Sequence, residues 1–195
     1  MFLTPRRRQG GMSIVEVLVA LGVIALVIGL GAPSAMNWVQ NLQIRNAGEA
    51  ILNGLQTARL EALRRNTTVA FELTDPNSTA WHVCVFDLTT LACTVPDLAT
   101  SDPGGQLNAR VGVQTQFTSF MEPLDAGVNV PQLIAFDSFG RVSPQNPTNI
   151  ARIDVRNPTM NGGDERRMSI AITVGGQIRM CDPALSKAIN PQGCQ

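Results

Sequence analysis
Four cysteines, one histidine and a carboxylate set inside a long apolar run are the residues whose types and spacing could do chemistry. Cys84 and Cys93 are near neighbours in the chain, as are Cys181 and Cys194. Four cysteines allow three connectivities, and the local pairing, Cys84–Cys93 with Cys181–Cys194, is the expected one. Zinc ligation is the rival use. No two cysteines form a C-x-x-C pair and His82 is the sole histidine, so disulfides are expected and no metal. With one histidine, flanked by Trp81 and Val83 on a predicted strand, no Ser-His-Asp set can be assembled elsewhere. Gly104-Gly105 and Gly162-Gly163 sit in predicted loops with no helix to follow, so they are not phosphate loops. Asp97, Asp102 and Asp164 lack metal-site spacing. The chain is therefore expected to be neither an enzyme nor a holder of a cofactor.

The carboxylate is Glu16. It stands at the head of an apolar segment that follows Arg6-Arg7-Arg8-Gln9-Gly10-Gly11, and no further charge occurs before Arg45. About 20 apolar residues cross a bilayer core, and this run has that length. The arginines ahead of it orient it with the leader in the cytoplasm and everything downstream, all four cysteines included, outside. A secretory signal peptide would need a small-residue cleavage site, for which Gly29-Leu30-Gly31-Ala32 could serve. Neither that reading nor a plain anchor explains Glu16, because a carboxylate in a membrane segment costs up to roughly 2.5–3.5 kcal/mol at the helix centre. Its natural partner is a positive charge at the same depth. A cut between Gly11 and Met12 would supply one, the amino group of Met12.

The stretch Arg6 to Pro33 resembles the class III signal of type IV prepilins and type II secretion pseudopilins. The resemblance implies cleavage after Gly11 by prepilin peptidase, N-methylation of Met12, and Glu16 as the fifth mature residue. Glu16 would then pair with the Met12 amino group of a neighbouring subunit during assembly. Pro33 falls at a mature position where many of these proteins carry proline, and the helix is expected to loosen there when subunits pack. Met12 departs from the family's usual first residue, phenylalanine.

The elements that must carry these residues can be read in order. The leader is 1–11, a transmembrane and assembly helix 12–35, an amphipathic continuation 36–66, and a periplasmic β-rich domain 67–195. Ala47, Ile51, Leu55, Ala58 and Ala62 recur every three or four residues and make one apolar stripe. The period then changes to two at Val69, Phe71 and Leu73, and residues 68–86 read as a hairpin across the Asp75-Pro76-Asn77-Ser78 turn. Residues 87–108 are rich in Thr, Asp, Pro and Gly and read as loop. Strands are expected at 114–121, 133–136 and 150–155. Met168 to Val174 and Gln177 to Met180 form a last hairpin around a two-residue Gly175-Gly176 turn. A helix followed by antiparallel strands is an α+β architecture, a sheet or sandwich of pilin type. Within the family, Ile134 to Arg141 and Ile170 to Cys181 resemble the GspH/FimT group of minor pilins and pseudopilins.

Formal charge is zero over the 195 residues, and the three leader arginines leave the rest at −3. Residues 66–149 carry Arg110 and Arg141 against eight acids, whereas residues 150–195 carry six bases against four acids. Any polyanion is thus expected on the C-terminal third. In the FimT branch the last strand resembles a DNA-binding element, Gly-Arg-x-Arg. Here the run is Gly176-Gln177-Ile178-Arg179, with Gln177 in place of the first arginine. The resemblance implies contact with double-stranded DNA through Arg179 and Gln177, helped by Arg166, Arg167 and Lys187. Gln177 releases no counterion, so affinity should be lower. No aromatic residue lies in 150–195, so no base stacks and no sequence preference is expected. The expected function is a FimT-like minor pilin of the type IV pilus, with a GspH-like pseudopilin of type II secretion as the alternative and a membrane-tethered periplasmic enzyme as a more distant one. Its partners would be prepilin peptidase, other pilins through the helix, and the inner membrane.

Overall fold
The computed structural model describes residues 11–101, 108–130, 132–160 and 163–194, without the side chains of 30–33, 95 and 96. The first helix, α1 (Ile14–Arg65), contributes to two compact units, one up to Met36 and one from Asn37 to Gln195. In the second unit eight strands follow: β1 (Val69–Leu73), β2 (Trp81–Asp87), β3 (Ala92–Ser101), β4 (Arg110–Gln114), β5 (Gln132–Phe136), β6 (Arg152–Arg156), β7 (Met168–Ile172) and β8 (Ile178–Cys181). They form two four-stranded sheets of order β3-β2-β1-β5 and β4-β6-β7-β8, with every strand pair antiparallel.

The helical stripe is what joins the sheets. Ile44, Ala47, Ile51, Leu55, Ala58 and Ala62 are fully buried and share one core with Phe71, Val83 and Ile134 of the first sheet and Val111, Ile153 and Ile170 of the second. Burying Ile44, Ile51 and Leu55 contributes about 1.5–3 kcal/mol each. Small residues set how close the helix comes. A Cβ on Gly54 would lie 2.7 Å from the Phe71 ring and 2.9 Å from Trp81. A Cβ on Gly48 would lie 3.0 Å from the Met180 sulfur.

Three expectations need correction. Residues 92–101, expected as loop, are strand β3; it lies at a sheet edge, where Pro96 and Thr-rich sequence are tolerated because one row of backbone groups is unpaired. The strand expected at 114–121 ends at Gln114 instead, and 115–124 crosses the outer face of the second sheet, hydrogen-bonded to Arg152, Asp154 and Arg167. The last hairpin turns on three residues, not two. The Gly176 amide donates to the Thr173 carbonyl (2.8 Å), Val174 and Gly175 occupy the turn, and Gly176 alone has positive φ, 78°.

Candidate functional site
Gly11 and Met12 are exposed and precede α1. The Ser13 carbonyl accepts the Val17 amide at 3.2 Å, which makes Ser13 the cap residue and Glu16 the third helical residue. Ser13-Ile14-Val15-Glu16 therefore has the spacing of a capping box. A carboxylate in the first turn also faces the positive end of the helix dipole, an effect of about 0.3–1 kcal/mol. From Ile14 to Ile28 the large apolar side chains are exposed on every side of the helix. No single helix among the described residues is long and apolar enough to cross a membrane, while Ile14–Gly29 and Ser34–Arg65 together meet that test by length and composition. The leader residues 1–10 and the side chain of Pro33 lie outside the described residues.

At the other end of the sequence, the two stretches Ile134–Arg141 and Ile170–Cys181 meet. Gly176 lodges against the turn after β5, where a Cβ would lie 2.0 Å from the Gly140 carbonyl oxygen. Gly140 is itself at φ 73°, and its carbonyl accepts Arg59 Nε of α1 at 2.9 Å. The Val142 amide donates to the Val174 carbonyl at 3.1 Å. Asp137 holds the turn by accepting the Phe139 and Arg141 amides, both at 2.9 Å, and the Arg141 guanidinium. Burial pushes the Asp137 carboxyl up, but the Arg141 amide and guanidinium and the Phe139 amide outweigh it and hold the group below its ordinary value.

Of the five residues expected to touch DNA, Arg167 and Arg179 are engaged within the domain. Arg167 is built into the second sheet. Its side chain is 13% exposed, and its guanidinium bonds Asp154 (2.6 Å) and the carbonyl of Phe120 (2.8 Å). Arg179 lies across from Ala171, on the sheet face opposite the core, and its Nη2 donates to the Gly193 and Pro191 carbonyls. It braces the tail loop that the Cys181–Cys194 disulfide closes. Gln177, Arg166 and Lys187 are exposed.

The chain matches the family described as Type II transport protein GspH over residues 47–176, two thirds of its length. It belongs to the GspH family. Residues 6–32 also match the prokaryotic N-terminal methylation motif, the stretch that contains Gly11, Met12 and Glu16. A curated relative, the type II secretion system protein H of Xanthomonas campestris pv. campestris, is 33% identical over 77 residues, 40% of this chain and 45% of that protein. The chain thus matches less than half the length of that relative. Two crystal structures of the type IV minor pilin FimU from Pseudomonas aeruginosa are similar at 16% identity. Their TM-scores are 0.49 and 0.46, covering 81% and 77% of this chain and 99% of each of those.

Two features of this GspH-family domain escaped the sequence. The first is the hub at Asp154, fully buried, which accepts Arg152 Nε (2.9 Å) and Nη2 (2.6 Å), Arg167 Nη1, Ser169 Oγ (2.6 Å) and the Leu124 amide (3.0 Å). In sequence, Arg152-Ile153-Asp154-Val155-Arg156 reads as a half-exposed strand. Only Gly112, paired with Asp154, hints at a covering segment, since a Cβ there would lie 2.4 Å from the Asp125 carbonyl oxygen. The second feature is the environment of His82. Its Nε2 lies 2.9 Å from Glu72 and its Nδ1 3.3 Å from Asp97, beside the Cys84–Cys93 disulfide.

Proposed function
We propose that the chain is a FimT-like minor pilin of a type IV pilus, held in the inner membrane by α1 with the β-rich domain in the periplasm. Prepilin peptidase cuts after Gly11, Met12 is N-methylated, and the subunit joins other pilins through the helix, with Glu16 taking the Met12 amino group of a neighbour. The methylation motif over residues 6–32 joined to a GspH-family domain supports a minor pilin or pseudopilin, and the Cys181-Asp182-Pro183 tail with Arg179 leans the choice towards FimT. The role is structural rather than enzymatic. Gly11→Val should leave the precursor uncut, read by intact mass, while the wild type yields a chain beginning at methylated Met12. A normal mature chain from the variant would remove this reading.

The relative named type II secretion system protein H favours a second reading, a pseudopilin of that machine. Deleting the gene and scoring piliation, transformation and secretion together separates the two. Loss of pili with intact secretion supports the first, and the converse supports the second. The DNA contact is the part with the least support, because Arg167 and Arg179 are engaged within the domain. Arg166 and Lys187 are the cations left to carry it. A domain starting at Asn37 should retard duplex DNA at low salt and lose most of that retardation on Arg166→Ala/Lys187→Ala. No retardation at low salt would end the DNA role.

A further inference from the structure
We propose that the outer face of the first sheet is a redox-gated zinc site, in which Cys84, Cys93 and His82 bind one Zn²⁺ whenever the Cys84–Cys93 disulfide is reduced to the dithiol. The placement follows from strand geometry. Alternate residues of β2 share a face, so His82 and Cys84 both point away from the core residues Trp81 and Val83. Cys93 reaches the same face from β3, where it pairs with Phe86. The ligand atoms of His82, Cys84 and Cys93 all lie within 4.8 Å of one another, and among the described residues no other group of acids, cysteines or histidine is so gathered. Tetrahedral zinc, with Zn–S near 2.3 Å and Zn–N near 2.0–2.1 Å, needs ligand atoms roughly 3.3–3.8 Å apart, so opening the disulfide and a small rotation of the imidazole suffice.

The surroundings of the ring distinguish this arrangement from a histidine that happens to lie near a disulfide. The register shifts along β3, from Val83 opposite Ala99 to Val85 opposite Thr94, so residues 95–98 bulge opposite Cys84. That bulge sets Asp97 at one ring nitrogen, while Glu72 of β1 sits at the other. Whichever nitrogen takes the metal, the other donates to a carboxylate, which fixes the tautomer and the orientation of the ring. Zinc-bound histidines are held in this way. A water completes four ligands. The site is entered from the side of the ring, since the side chains of His82, Glu72 and Asp97 are 23%, 25% and 35% exposed, whereas Cys84 is fully buried at its floor.

The chemistry balances with a dithiol reductant. Its thiolate attacks one sulfur, the S–S bond breaks, and the reductant closes to its own cyclic disulfide as two electrons pass to the protein. Two protons end on Cys84 and Cys93, and Zn²⁺ displaces both on binding. Metal and disulfide are therefore mutually exclusive, and bound zinc protects the pair from reoxidation.

The test uses the full chain in detergent micelles, reduced with dithiothreitol and desalted without oxygen, then titrated with zinc chloride against a chromophoric chelator. One zinc per reduced chain and none per oxidised chain is expected. His82→Ala or Cys84→Ser should abolish uptake at that competition, and Glu72→Gln/Asp97→Asn should weaken it about 10–100-fold. Cys181→Ser/Cys194→Ser should leave it unchanged. Cobalt(II) in place of zinc should give tetrahedral thiolate bands. If reduction alone unfolds the chain, zinc should restore its circular dichroism. The proposal is overturned if the reduced chain takes up no zinc, if His82→Ala takes up as much, or if uptake follows Cys181 and Cys194.

Discussion
The outer faces of the two sheets carry comparable charges in opposite circumstances. On the second sheet, Arg152 and Asp154 are 1% and 0% exposed, and segment 119–124 and Ser169 use up their hydrogen-bonding capacity. On the first sheet, Glu72, His82 and Asp97 stay partly in water over a small apolar cluster of Ala70, Cys84, Phe86 and Ala135. A charge with every lone pair and proton committed can only hold a structure. A charge with solvent access and unspent ligand capacity can still meet an ion. The same residue types thus serve architecture on one face and are free for chemistry on the other.

That contrast can be broken in order of expected effect. Asp154→Ala leaves Arg152 buried without its counter-charge and should cost about 3–5 kcal/mol, read by chemical denaturation of the domain. A loss under 1 kcal/mol would mean the hub is not structural. Cys84→Ser/Cys93→Ser frees a short loop and should cost about 2–3 kcal/mol in the oxidised protein. His82→Ala should change stability by less than about 1 kcal/mol, because its contacts with Glu72 and Asp97 are partly exposed to solvent. A larger loss would move the first face into the same class as the second. Asp137 is the middle case, 15% exposed and bonded to its own turn. Its folded pKa lies below its ordinary value, so its contribution is complete above about pH 4 and fades as pH falls through the lower folded value. Asp137→Asn should remove that part of the acid limb of a stability–pH profile, and an unchanged limb would contradict the assignment.

The parts legible in sequence were those with one periodicity and one partner. The stripe Ala47, Ile51, Leu55, Ala58, Ala62 needed only the helical period, and Val69, Phe71, Leu73 only alternation. Strand β3 stayed hidden because edge position, not composition, lets a Thr- and Pro-containing stretch pair. Glu16 stood out for its place in an apolar run, while its capping spacing from Ser13 needed the helix start to be known. Arg167 and Arg179 looked like surface cations because the carbonyls that engage them come from residues 120 and 193, which no local pattern links to them. His82 reads in sequence as a lone histidine without ligand or catalytic partners, since its neighbours Glu72 and Asp97 come from two other strands, one of them bulged.

The seat of Gly176 on Gly140 bears on the order in which the molecule can be completed. The helix, the turn after β5 and the last hairpin are far apart in the chain, and they meet where Arg59 bonds the Gly140 carbonyl and Gly176 seats on that same carbonyl. Contacts of such long span form late and slow folding. A chain delivered from its N-terminus would have its whole helix available long before its domain could shut. Until residues 178–181 arrive to pair as β8, the domain is an open intermediate with the β7 edge unpaired.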